Sequence, residues 1–346
     1  MDLATIRHRC LEQFHAMQVP GMPFGCVRPR RGAAPDFYAS ADWAIIRTIW
    51  GEDLRQTLPT AQREQWIAHL AAQVTPGDGS FTPLVGHSKL HANGTAIGAF
   101  GALGGRLPAP VRLYEPFADP ARVGSWLENA IDWRAQWSAS HLFWGGMHCF
   151  ALSSGATPAW RAAVFTWLDA EADPQTGWWR RGTECADRNQ PLGGAAHILP
   201  IYQHLGRRFP YPERLIDSVL ALQLTNGAWL GECTWQTIPG CTYLDLDALY
   251  ALDLACTWVP GYRTADILAA TRRHAQLITP IISDELINAF SRHPHRILEL
   301  IGTLGLAQRF APEEFRDDRV WTDIFSDRAL YRVRESEAAA CAAALP

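Results

Sequence analysis

Apolar residues along the chain fall into two alternating patterns. In TAQREQWIAHLAAQV, ARVGSWLENAIDW, AWRAAVFTWLDAEA and YPERLIDSVLALQL they recur at spacings of three and four, with charges opposite. That spacing predicts helices with one wet face. Between them lie YASADWAIIRTIWG, HANGTAIGAFGALGG, LFWGGMHCFALSSG, PLGGAAHILPIYQHLG, TYLDLDALYALDLA and HPHRILELIGTLGLA, small and apolar over about twelve positions. A helix that is apolar all round is buried. Strand-like alternation is nearly absent, so the chain reads as all-α.

The buried series is periodic. Aligning Ile49, Leu103, Leu152, Leu205, Leu252 and Leu304 gives steps of 54, 49, 53, 47 and 52 residues. Six helical hairpins at a repeat of about 50 residues predict an (α/α)6 toroid, with an open helical solenoid as the rival. The expected organisation is one domain over 1–346. Residues 1–35 are expected to be partly extended, and a tail to run from about 333 to 346.

A turn device accompanies the repeat. Residues 223–229 read QLTNGAW, and the stretch follows an amphipathic run. Asn226-Gly227 predicts a turn, because glycine takes positive φ without steric penalty. Related turns are QVTPGDGSF from Gln73, with Gly79 and Phe81, and DPQTGWW from Asp173, with Gly177 and Trp179. Gln223–Trp229 resembles the QW motif of the squalene-cyclase and terpene-cyclase group, whose toroid is shared with protein prenyltransferase β subunits. The resemblance implies that the Gln caps helix ends and the Trp packs on the neighbouring repeat. It covers the repeat architecture and is specific for fold more than for reaction.

Composition narrows the function classes. The chain has 346 residues, 48% hydrophobic and 19% charged, with a formal net charge of −4. That balance gives no footprint for nucleic acid, and the short basic run VRPRR reads as a solvated loop. No apolar run approaches the roughly 18 residues that would span a bilayer. The N-terminus lacks the apolar core of a signal peptide, so a cytoplasmic location is expected. The eight cysteines include no CxxC pair, which argues against a disulfide framework or a zinc knuckle. The 15 Trp residues suit core packing, sugar stacking or cation stabilisation.

Candidate chemistry follows from the repeat. The starts of the buried helices carry Asp42; His87 and His91; His141 and His148; His197; Asp245 and Asp247; and His293 and His295. Burying an unpaired polar group costs about 1–3 kcal/mol, so such a set at one level predicts a wet or ligand-filled pocket. Asp245 and Asp247, in YLDLDALY, open an apolar helix. One reading makes an acid there the N-cap. In the other, close carboxylates raise one another's pKa and leave one protonated as a general acid. His204 falls at the far end of its helix, where a surface position is expected.

The same stretch resembles the DxDD motif of class II terpene cyclases. Asp245 and Asp247 match its first and middle Asp, and Ala248 stands where the last would be. The resemblance makes Asp247 the proton donor. The candidate catalytic set is Asp247, Asp245, His197, His148 and His91, with Trp144, Trp178, Trp229, Tyr202, Tyr243 and Arg180 as candidate substrate-binding residues.

The leading expectation is a terpenoid-cyclase-like enzyme acting on a hydrophobic or polyene substrate by acid-initiated cyclisation or isomerisation. The alternatives are a carbohydrate-active (α/α)6 hydrolase or lyase, and a non-catalytic binding scaffold. The partner is a small molecule, hydrophobic or sugar, and the oligomeric state stays open. No cofactor and no metal are expected; the one alternative is zinc on a forced trio of Cys241, Asp245 and His295.

Overall fold

The computed structural model describes residues 1–139, 141–229 and 242–335. The helices are α1 (Leu3–Met17), α2 (Phe37–Ile49), α3 (Leu54–Thr57), α4 (Thr60–Ala71), α5 (Lys89–Leu103), α6 (Pro120–Asn129) and α7 (Gln136–Ala139). A π-helical turn, Phe143–His148, then runs into α8 (Cys149–Ala151). After it come α9 (Pro158–Glu171), α10 (Gln190–His204), α11 (Pro212–Leu222), α12 (Tyr243–Trp258), α13 (Thr264–Ile278), α14 (Ile282–Phe290) and α15 (Pro294–Phe310). No strand forms among the described residues, as the missing period-2 pattern predicts.

The two patterns become two layers. In α5, every residue from Leu90 to Leu103 is buried, whereas α4 buries only Trp66 and Leu70. The buried helices touch in succession: α2 on α5, α5 on the π turn, the π turn on α10, α10 on α12, α12 on α15, and α15 on α2. The amphipathic helices α4, α11 and α13 pack outside them, on α5, α12 and α15.

Residues 3–17, expected within a partly extended segment, are helical. Leu3, Ile6, Cys10, Phe14 and Met17 recur at helical spacing, and Asp2 caps the first turn by accepting from Ala4 and Thr5. Phe14 is stacked on Trp66 and lies 5.6 Å from Trp43.

The turn device is realised in full at Gln223. Its Nε2 donates to the carbonyls of Gly227 and Ala270, both at 2.9 Å, and Trp229 Nε1 donates to Val219 O at 2.9 Å. Gly227 has φ of +100°, and a Cβ there would sit 2.6 Å from Arg273 O. The glycine thus lets one turn lie against the next amphipathic helix. Trp179 repeats the closure by donating to Leu168 O.

The chain beyond α15 was not legible as structure. It returns across the inner helices: Thr322 N donates to Ile49 O at 2.7 Å, and Leu107 N to Arg334 O at 2.7 Å. Trp321, Ile324, Phe325, Leu330 and Tyr331 are buried on the way. Tyr331 packs against Trp144 and His148, and Phe325 against Tyr250. Part of the interior is therefore filled by the protein's own aromatic side chains.

Candidate functional site

Six of the expected ionisable residues meet at one end of the inner helices: Asp42, His87, His91, His141, His197 and His295. Backbone contact makes this possible. A Cβ on Gly145, in the π turn, would lie 1.7 Å from Leu90 O, and one on Gly94 would lie 2.8 Å from Gly145 Cα. Only glycines allow α5 and the π turn to approach so closely. The approach brings His91 and His141 to a ring separation of 4.7 Å. His87 completes the group, 4.4 Å from His91 and stacked on His141 at 4.8 Å with an interplanar angle of 8°. One nitrogen from each of the three lies within 4.8 Å of the others.

Neighbours hold the periphery. His197, on α10, lies 5.6 Å from His141, and its Nδ1–H donates to Gly193 O at 2.8 Å. His295, at the start of α15, lies 5.1 Å from His87, and its Nδ1 is 3.1 Å from Asp42 Oδ2. The Tyr38 hydroxyl sits 2.9 Å from His91 Nδ1, and Trp144 covers the other side of His91 at 5.0 Å.

Burial sets the protonation states. Loss of water, then the neighbouring imidazoles, hold His91 and His141 well below the usual histidine range. Desolvation drops His87 to about 4, and His197 to about 4 against the opposing pull of the Gly193 carbonyl. These imidazoles are therefore neutral at pH 7, with lone pairs to offer. Asp42 is pushed well up by burial, with His293 working in the opposite direction.

One turn deeper, α12 and α15 face each other through residues four apart. Tyr243 lies 5.2 Å from the His295 ring and donates to His295 O at 2.8 Å. Asp247, one turn on, feels the charge of Glu299, one turn on from His295. Burial first, then the charges of Asp245 and Glu299, raise Asp247 far above the ordinary carboxylate range. Both of its oxygens are buried without a hydrogen-bond partner among the described residues. Glu299 is 3.1 Å from Arg296 Nη1.

The two acids of YLDLDALY divide their labour. Asp245 Oδ2 accepts from the Thr242 amide and hydroxyl, completing a capping box, and Oδ1 accepts from Trp229 N at 2.8 Å. Two residues apart on a helix, the side chains point to opposite sides. Asp245 is thus committed to structure and not available to a zinc ion; Cys241, the other expected ligand, lies outside the described residues.

Comparison with known proteins finds no match, whether to family models, to curated proteins or to solved structures.

The remaining expected site residues lie elsewhere. His148 points to His204, Nε2 to Nδ1 at 2.6 Å, and to Tyr331. His204, expected at the surface, is buried because His148 and the returning segment cover it, with Ser326 O at 3.3 Å. Trp229 is a structural closure beside His274. Tyr202, on α10, donates to Asp169 of α9 at 2.7 Å, and Arg180, in the turn after α9, lies between Glu128 and Glu171 over Trp167. Trp178, half-buried, belongs to the turn after α9. Trp144 and Tyr243 are the two candidate binding residues that lie at the histidine group. Tyr38 and Glu299 belong to the same region and were not singled out from sequence; their places four residues before Asp42 and after His295 carry the signal. Among the described residues no helix is long and apolar enough to cross a membrane.

Proposed function

We propose that the hairpins close as an (α/α)6 toroid of the terpenoid-cyclase-like kind, and that the chain is an enzyme whose reaction starts with a proton from Asp247. The observation that carries the reading is the state of this side chain. A carboxylic acid buried without a partner among the described residues, its protonated form favoured by burial, has a proton to give and no neighbour there to give it to. The succession of helix contacts from α2 back to α2, and the Gln223–Trp229 closure, support the architecture.

In the proposed reaction the Asp247 O–H bond breaks as its proton joins one carbon of a C=C bond, whose π electrons form the new C–H bond. The cation so formed is stabilised by aromatic faces such as Tyr243 and Trp144, at roughly 0.5–2 kcal/mol each. A neutral imidazole, that of His197 or of His295, then takes a proton from the adjacent carbon. The sum is an isomerisation or, with an internal alkene as nucleophile, a cyclisation, and no redox partner is needed.

A carbohydrate substrate is the second reading, favoured by one observation. Asp247 has a second carboxylate, Glu299, close enough for its charge to be felt, and the surroundings are rich in imidazoles. A neutral acid beside a carboxylate is the pairing that glycosidic cleavage uses.

Turnover of a panel of prenyl diphosphates, polyenes and unsaturated oligosaccharides tests both. Asp247→Asn, with its circular dichroism unchanged, is expected to lose at least a hundredfold in kcat; retained activity ends the proposal. Glu299→Gln separates the readings, being needed for sugar cleavage and dispensable for alkene protonation.

A further inference from the structure

Three buried or half-buried imidazoles meeting at one point call for an occupant other than themselves. We propose that His87, His91 and His141 form a binding site for a zinc-class divalent metal ion. Three observations carry this. Their ligating nitrogens already lie within 4.8 Å of one another. A tetrahedral ion with Zn–N bonds near 2.0–2.1 Å sets such atoms about 3.4 Å apart, so rotation about the side-chain torsions closes the gap.

The positions are built, not incidental. The backbone contact of Leu90 with Gly145 fixes α5 against the π turn that His141 precedes, and π-helical turns recur at functional sites. His87 and His91 are four residues apart, with Ser88 between them capping α5 by accepting from His91 N at 3.1 Å.

The second layer also fits. Metal-bound histidines have their other nitrogen held by an oxygen, which fixes the tautomer and raises basicity. The Tyr38 hydroxyl occupies that place on His91 Nδ1. Asp42 holds the neighbouring His295 in the same way, beside the group. Neutral imidazoles suit zinc, cobalt, nickel and copper, whereas calcium and magnesium want oxygen. Three protein ligands leave the ion a position for water or substrate.

The site is independent of the acid chemistry proposed for Asp247, and the test keeps the two apart. Full-length protein is stripped with chelator and titrated with cobalt(II) chloride, reading the visible d–d bands, and with zinc chloride, reading bound metal by mass spectrometry. One equivalent is expected, with affinity reduced at least tenfold in His91→Gln and His141→Gln. His8→Gln, whose side chain is exposed on α1, and Asp247→Asn are expected to bind as the parent does. X-ray absorption of the zinc complex of the unaltered protein counts imidazoles without any substitution; three are expected. Absence of stoichiometric uptake, binding that survives both substitutions, or fewer than three imidazoles on the ion would overturn the proposal. Metal binding that persists in an inactive Asp247→Asn protein supports it whatever becomes of the acid mechanism.

Discussion

The backbone amide of Trp229 donates to the carboxylate of Asp245 at 2.8 Å, tying the end of one turn to the first turn of the following inner helix. The same carboxylate accepts the Thr242 amide and hydroxyl, so a single buried side chain satisfies three donors. Its neighbour Asp247 satisfies none among the described residues.

That contrast sets opposite outcomes for two substitutions. Asp245→Ala removes the cap and leaves buried donors unmet, a loss of about 2–4 kcal/mol. Asp247→Asn removes a group that burial opposes in its charged form, and its stability at pH 7 is expected to equal or exceed the parent's. Urea denaturation of both proteins checks the pair; an Asp245→Ala protein as stable as the parent contradicts the assignment of that acid to structure.

The turn glycine gives a second prediction. At Gly227, alanine meets both a positive φ and the Arg273 carbonyl, so Gly227→Ala should lose about 2 kcal/mol or more. Gly182 is also at positive φ, but an added methyl there would have nothing within 4 Å, so Gly182→Ala isolates the backbone part. The difference between the two melting temperatures measures the close approach alone.

Acid sensitivity is expected from the pair His148–His204. Burial first, then the repulsion of the partner, keeps His148 far below its ordinary range, and burial holds His204 at about 4. The unfolded chain binds these protons near pH 6.5 and the folded chain does not. The stability they allow is complete above about 6.5 and falls as pH drops toward 4, by about 3 kcal/mol for His204. His204→Gln should flatten that part of the pH–stability curve; an unchanged slope between pH 6.5 and 4 would be the contrary result.

The returning C-terminal segment gives the last prediction. Tyr331 is fully buried, with its ring against Trp144 and His148 and its hydroxyl donating to Ile324 O. Tyr331→Ala opens a cavity beneath Trp144 and should destabilise by about 3–5 kcal/mol, as large aromatic truncations do. Hydrogen exchange should rise first in residues 321–335; protection there equal to the parent's would show the segment held by other contacts.

Much of the architecture was legible in the order of residue types. Helical spacing separated the wet-faced α4, α6, α9 and α11 from the buried α5, α10, α12 and α15, because a face that meets water has to carry polar groups. The same spacing is present in α1, with Leu3, Ile6, Cys10, Phe14 and Met17 buried on one stripe. The histidines were legible as a set at the helix starts, since a polar residue in an apolar run is conspicuous. Their partition was not. His148 and His141 are seven residues apart, about two turns, and the π turn between them alters which way each one faces.

The chain's periodic pattern by itself determined that it is helical and that buried and wet-faced helices alternate, and the Asn226-Gly227 dipeptide that a turn follows α11. These are local matters, set by backbone sterics and by which stripe must avoid water. Tertiary structure alone decided that His87, His91 and His141 meet while His148 turns to His204, that Asp245 is a strut while Asp247 has no partner among the described residues, and that residues 321–331 fill part of the interior. Those outcomes depend on how closely two backbones approach, as Gly94 and Gly145 do, and on where a non-periodic segment finds buried donors. Neither leaves a mark in the spacing of apolar residues.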